Sequence, residues 1–224
     1  MKKIPFIALF IFVITGVVNA QFSFGPEAGI NISTIKIKTN SGSGYYSVPS
    51  QSTIVGFKGG GLIDCSFGSN SSFHFQSGVF FSSEGSGFGN GQTLVVNYLQ
   101  IPANLVIKFS TGTDDNIFIG IGPFAGAVVG GTVTSTGTTH KIKFGSDPNS
   151  DQVESNDWGL GFQVGYQFGF GLLLRGQYQT SGTSVIPNEN SDIAGFNHVF
   201  SITTGLLIGG RQEKSRYPRY RHGY

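Results

Sequence analysis

Apolar and polar residues alternate one by one through eight stretches of the chain. In 22–33 the even positions are Phe22, Phe24, Pro26, Ala28, Ile30 and Ile32, and the odd ones Ser23, Gly25, Glu27, Gly29, Asn31 and Ser33. Successive side chains of a strand point to opposite faces, so a period of two predicts a ribbon with one greasy and one polar side. The stretch 157–168 repeats it, setting Trp158, Leu160, Phe162, Val164, Tyr166 and Phe168 against Asp157, Gly159, Gly161, Gln163, Gly165 and Gln167. A helix would scatter these residues around its circumference. Weaker versions over 55–67, 73–84, 94–109, 117–130, 172–180 and 196–209 complete a predicted set of eight strands. Their connections run long, short, long, short, which predicts tight turns on one side of a barrel and longer loops on the other. The long ones, around 39–52, 132–155 and 181–194, are rich in Ser, Thr, Gly and Asn and read as mobile.

A soluble sandwich also alternates, so the position of charge decides. Glu27, Lys58, Asp64, Glu84, Lys108, Asp157 and Arg175 all share the polar parity, and no charged residue interrupts the apolar face of any stretch. A charge facing hydrocarbon costs about 2–4 kcal/mol for Arg or Lys at the midplane, which gives this segregation a cause. Aromatic residues on the apolar face fall near strand ends. Phe22, Phe67, Phe73, Phe109 and Phe168 sit at one end, and Phe57, Phe81, Trp158, Tyr178 and Phe196 at the other. Two aromatic girdles around an aliphatic band predict an eight-stranded antiparallel up-and-down transmembrane β-barrel. Such a barrel is only wide enough for side chains to fill. Gly120, Gly122, Gly126, Gly159, Gly161 and Gly165 on the polar parity would make room for Tyr98, Phe118, Phe124 and Arg175. Pro102 and Pro123 fall inside predicted strands, where they are expected at bulges or strand ends because a closed barrel has no free edge.

The first residues stand apart from this pattern. Lys2 and Lys3 precede an almost wholly apolar run that ends in Val18-Asn19-Ala20, which reads as a cleaved secretory signal over 1–20. The barrel domain is then 21–210, followed by a tail over 211–224. Charged residues make up 12% of the chain, against about 25% in an ordinary soluble protein. Arg211, Lys214, Arg216, Arg219 and Arg221 concentrate in the tail. The region 21–210 carries seven basic and eleven acidic residues, so it offers no basic surface for nucleic acid. The lone Cys65 excludes an intrachain disulfide framework.

Three short segments resemble a recurring pattern of Bacteroidetes outer-membrane barrels. Asn97-Tyr98-Leu99-Gln100-Ile101-Pro102-Ala103-Asn104 is similar to the Tyr-Leu-x-Ile-Pro strand of the PorT-like family. The segment from Phe24 to Asn31 resembles that family's opening strand, and Gly120-Ile121-Gly122-Pro123-Phe124 its Gly-x-Gly-Pro strand. The resemblance implies mostly a fold, and no reaction; it is the even strand count and the alternating connections that place both termini on the periplasmic side of an outer membrane.

Chemistry is sparse. A membrane hydrolase needs a nucleophile, a base and an orienting acid within hydrogen-bond reach. His74, with Ser71 and Ser72 nearby, lies on the polar face, and His198 on the apolar face. Serine is too frequent for such proximity to inform, and both histidines read as structural. The seven charges on the polar parity either line a permeation path or pair inside a plugged barrel; the cost of an unpaired buried charge favours pairing. Asp147, Asp151, Glu154 and Asp157 match no defined calcium loop. The tail reads either as a solubilising extension or as a contact for anionic headgroups or a periplasmic partner. Neither a cofactor nor a metal is expected. The expected partners are outer-membrane lipid and, through loops and tail, envelope proteins. An outer-membrane barrel without enzymatic activity, serving envelope structure, adhesion or a secretion assembly, is the leading reading. A barrel enzyme acting on lipid or surface peptide, and a secreted barrel binding an apolar ligand, are the alternatives.

Overall fold

The computed structural model describes residues 21–39, 50–67, 72–89, 91–112, 114–145, 153–187 and 193–209. The signal segment 1–20, the tail 211–224, Ser71, Asp147 and Asp151 lie outside the described residues. Eight long strands carry the fold: β1 Phe22–Thr39, β2 Ile54–Ser66, β3 Phe73–Phe88, β4 Gln92–Ser110, β5 Asn116–Ser135, β6 Asn156–Gln167, β7 Leu172–Ser181 and β8 Ile193–Leu206. Each pairs antiparallel with its neighbours in sequence, and β8 returns to pair with β1 from Glu27↔Gly205 to Thr39↔Ile193. The sheet closes on itself as an all-β, eight-stranded up-and-down barrel, the class that the alternation predicts.

Burial follows the same two-residue period, with the usual order reversed. Phe24, Val55, Leu105, Ile121, Trp158 and Phe162 are among a large set of exposed apolar side chains, while Asn31, Gln76, Ser82, Gln163 and Ser201 have no solvent-accessible surface. Side chains of the buried set meet across the ring. Lys58 on β2 reaches Gln177 and Gln179 on β7, and Gln163 on β6 reaches Gln76 on β3. These strands are not neighbours, so the polar face is the lumen and the apolar face the exterior.

Strands run further than the alternation predicts, always at the long-loop end. β3 and β4 continue pairing to Phe88↔Gln92, so their connection is a tight hairpin closed by Gly91 N–H donating to Phe88 O. β5 continues to Ser135 and pairs with a short strand, Thr138–Lys141; another, Gln51–Ser52, pairs with β3. The described parts of the long connections are therefore partly regular. Pairing of the backbone drives this, because a polar loop composition does not prevent a ladder from continuing.

The prolines also depart from expectation. Pro102 and Pro123 lie in mid-strand, and the register is the same on either side of each. The β3–β4 ladder runs to Ser77↔Ala103 and resumes at Phe80↔Gln100; the β4–β5 ladder runs to Pro102↔Phe124 and resumes at Leu105↔Ile121. Proline removes a donor, and the sheet answers by omitting pairs instead of inserting a residue. Ser77 Oγ donates to Pro102 O at 2.8 Å within the gap. The register shift in the β4–β5 ladder falls elsewhere, at Asn97/Tyr98. Pro26 acts likewise between β1 and β8. Pairing stops beyond Glu27↔Gly205 and resumes at Phe24↔Ile208 on the two-residue strand Ile208–Gly209, while Leu207 N–H turns to Gly171 O.

Candidate functional site

All seven charges predicted on the polar parity are buried in the lumen, and the strands arrange them into linked groups. Nearest the short turns, Asp64 on β2 takes His74 Nδ1 at 2.6 Å, Lys108 Nζ at 2.8 Å and Gln76 Nε2 at 2.5 Å. Lys108 also donates to Gln167 Oε1 at 2.7 Å. Gln76 passes the network on, since its Oε1 accepts from Gln163 Nε2 and from Arg175 Nη2. Arg175 lies 3.3 Å from Glu27 Oε2, and Thr203 Oγ1 donates to the other oxygen of that carboxylate.

Toward the long loops the partners become neutral. Glu84 Oε1 accepts from Ser82 and Gln100, each at 2.7 Å. Asp157 accepts from Ser181 Oγ at 2.7 Å and Thr183 Oγ1 at 3.0 Å, with Asn197 bridging to Tyr98 Oη at 3.1 Å. Lys58 donates to two glutamines. Hydrogen bonds to an ionised group contribute about 1.5–3 kcal/mol, so amide and hydroxyl donors can hold a carboxylate without a cation in contact. Lys58 and Arg175 also lie over the rings of Phe80 and Phe118, at 5.7 and 5.8 Å.

Apolar side chains fill what the polar groups leave. Leu62, Phe80, Val106, Phe118, Leu173 and Leu207 form a cluster inside the barrel. A second cluster closes the mouth at the long-loop end: Ile35, Val96, Tyr98 and Val128 from the walls meet Ile142, Val153 and Val185 from the connections. Backbone hydrogen bonds hold this lid in place, including Glu154 N–H to Val185 O at 2.8 Å, Val185 N–H to Gly195 O at 2.7 Å and Ile142 N–H to Gly131 O at 3.2 Å. No sequence signal singled out the lid residues except their isolation as aliphatics in polar loops. Among the lumen glutamines, Gln76 links Asp64 to Arg175, Gln163 bonds to Gln76, and Gln167, Gln177 and Gln179 each hold one lysine; their shared parity with the charges was the signal available.

The predicted girdle residues lie on the outer surface. Phe22, Phe67, Phe73 and Phe109 are exposed near the short-turn end, and Phe168 packs edge-on against Tyr166. Phe57, Phe81, Trp158 and Tyr178 are exposed toward the long loops, and Phe196 is half-buried. Phe170, which the alternation did not assign, is more exposed than any of them. His198 faces outward with Nδ1 2.7 Å from Tyr178 Oη, on the opposite face of the sheet from Asp157, which turns inward. Glu154 belongs to the lid segment, so it and Asp157 do not come together as a calcium loop; among the described residues no three His, Cys, Asp or Glu side chains gather as metal ligands.

A closed ring with exposed aliphatics outside and every long strand paired on both sides satisfies the condition for crossing hydrocarbon, where no water serves the backbone. The fold and its lumen define a membrane-spanning β-barrel. The chain belongs to the outer membrane protein beta-barrel domain family, which matches residues 19–185; it is an outer-membrane β-barrel protein. Among curated proteins no sequence matches it. Solved structures with a similar fold include OprG from Pseudomonas aeruginosa (11% identity, 85% of this chain and 97% of that chain, TM-score 0.49). Neisserial surface protein A (11%, 82% and 96%, 0.44) and Ail, the attachment invasion locus protein of Yersinia pestis (12%, 85% and 100%, 0.41), are similar as well.

Proposed function

We propose that this protein is a closed, non-conducting and non-enzymatic outer-membrane barrel whose work is done by the surfaces it holds outside the lumen. The single observation that carries this is the filled interior: polar side chains bonded wall to wall, with an apolar lid above them. A permeation path needs a continuous opening lined by groups that stand in for the solvent of what passes. Here the seven charges are buried, and Lys108, Arg175, Asp64 and Glu27 pair among themselves. A non-enzymatic role is supported by the partners of His74 and His198 within the fold: His74 shares Asp64 with Lys108, and His198 pairs with a tyrosine.

Both chain ends of the barrel lie at the short-turn end, which in this reading is periplasmic. The basic stretch Arg211, Lys214, Arg216, Arg219 and Arg221 then faces the periplasm and is the segment we assign to envelope-protein contacts, whether structural or in a secretion assembly of the PorT-like kind. The hairpins at the other end face outward, where an adhesive role would reside. Single-channel recording in planar bilayers tests the closed state. The expected result is no conductance step with the purified full chain; steady ohmic steps would overturn the proposal.

A further inference from the structure

The extension of β1 past 33 brings two lysines onto the exterior. Ile30 and Ile32 face outward and are exposed; the next outward positions are Thr34, Lys36 and Lys38, at the long-loop rim. Across the seam, Lys36 pairs with Phe196 and Thr34 with His198, and His198 in turn pairs with Thr180 of β7. Lys38 Nζ lies over the Phe196 ring, 5.2 Å from its centre. Tyr178 Oη meets His198 Nδ1 at 2.7 Å on the same face. Directly below, Phe200, Ile202, Ile30 and Ile32 continue the apolar band. The described carboxylates lie elsewhere: Glu27, Asp64, Glu84 and Asp157 in the lumen, Asp115 bonded to Tyr166 and Gly169 in the β5–β6–β7 wall at the short-turn end, Asp114 beside it, and Glu154 in the lid.

We infer that Lys36, Lys38, His198 and Tyr178 form a site for the phosphate of a glycolipid headgroup seated beside the barrel. The two ammonium groups supply charge, and the tyrosine–histidine pair supplies hydrogen bonds at the interfacial depth. The exposed Phe200 and Ile202 take the first carbons of the acyl chains. Two cations without a neighbouring described carboxylate, outward-facing at the edge of an apolar band, complement an anion that itself ends in hydrocarbon. The inference rests on the proposed orientation only for its leaflet; the chemistry of the site does not depend on it.

Native mass spectrometry of the detergent-purified full chain, titrated with diphosphoryl lipid A, tests the site. Wild type is expected to take up one lipid with higher affinity than phosphatidylcholine. Lys36→Gln/Lys38→Gln should weaken it about 25-fold, since each of the two lysines near an anionic surface contributes about fivefold. Lys141→Gln/Lys143→Gln should leave it unchanged, and inorganic phosphate at the same concentration should not compete. Equal affinity in the two double variants, equal uptake of phosphatidylcholine, or displacement by phosphate alone would each overturn the proposal. Unboiled gel mobility confirms that each variant is folded. Labelling of Thr136→Cys in a Cys65→Ser background in intact cells reads the orientation separately, so loss of one reading leaves the other standing.

Discussion

Arg175 serves two partners at the centre of the lumen, the Glu27 carboxylate at 3.3 Å and Gln76 Oε1 at 3.1 Å. Its buried charge is costly alone, and so is that of Glu27. Breaking a buried pair from one side costs about 3–5 kcal/mol, whereas removing both charges is often close to neutral. Arg175→Met is therefore expected to lower the urea midpoint for refolding into vesicles, by about 3 kcal/mol in stability. Glu27→Gln/Arg175→Met should recover most of the loss. An undiminished loss in the double variant would show that the two do not act as a pair. The parity of both residues was legible in the sequence because each sits between apolar neighbours. Their pairing was not, because barrel stagger decides which wall positions face each other, and no local pattern records it.

At the level of strands, the sheet tolerates missing donors better than extra volume. A Cβ on Gly122 would run into the Ala103 carbonyl oxygen, at the gap left by Pro123, whereas one on Gly61 would meet nothing within 4 Å. Gly122→Ala is expected to destabilise by about 1–3 kcal/mol, the range of overpacking, and Gly61→Ala to be neutral or slightly stabilising. Chemical denaturation of the two variants side by side checks this, and equal effects would count against the close approach of β4 and β5. Strand existence was legible from alternation alone. The outer ends of β3, β4 and β5 were not, because Ser86, Gly87, Thr132 and Thr134 have the composition of a loop. Only their pairing across the hairpin makes them strand.

For the molecule as a whole, the exterior band fixes how deep it sits. Ile121 is exposed midway between Ile117, which pairs with Phe109 of one girdle, and Ala125, which pairs with Trp158 of the other, and Val129 is exposed further toward the long loops. Ile121→Arg should cost about 2–4 kcal/mol in vesicles and Val129→Arg about 0–1, following the depth profile of a lipid-facing charge. The reverse ranking would mean that the band is displaced along the barrel. The class of fold was readable because two environments, lipid and lumen, impose opposite polarity on adjacent residues. The lid was not, since Ile142 and Val153 come from the β5–β6 connection and Val185 from the β7–β8 connection, and they meet only after closure.

The interruption at Pro26 falls where the chain's two extremities meet. Above it the join between β1 and β8 is continuous from Glu27 to Thr39; below it Pro26 and Gly25 have no pairing across to β8, and Leu207 leans toward Gly171. The cylinder is thus cinched firmly around most of its height and left unbuttoned near one hem. Opening begins where the fewest bonds must part, so amide exchange along this join should start beside Gly25 and travel upward, and the last stitch made during insertion should be the same one.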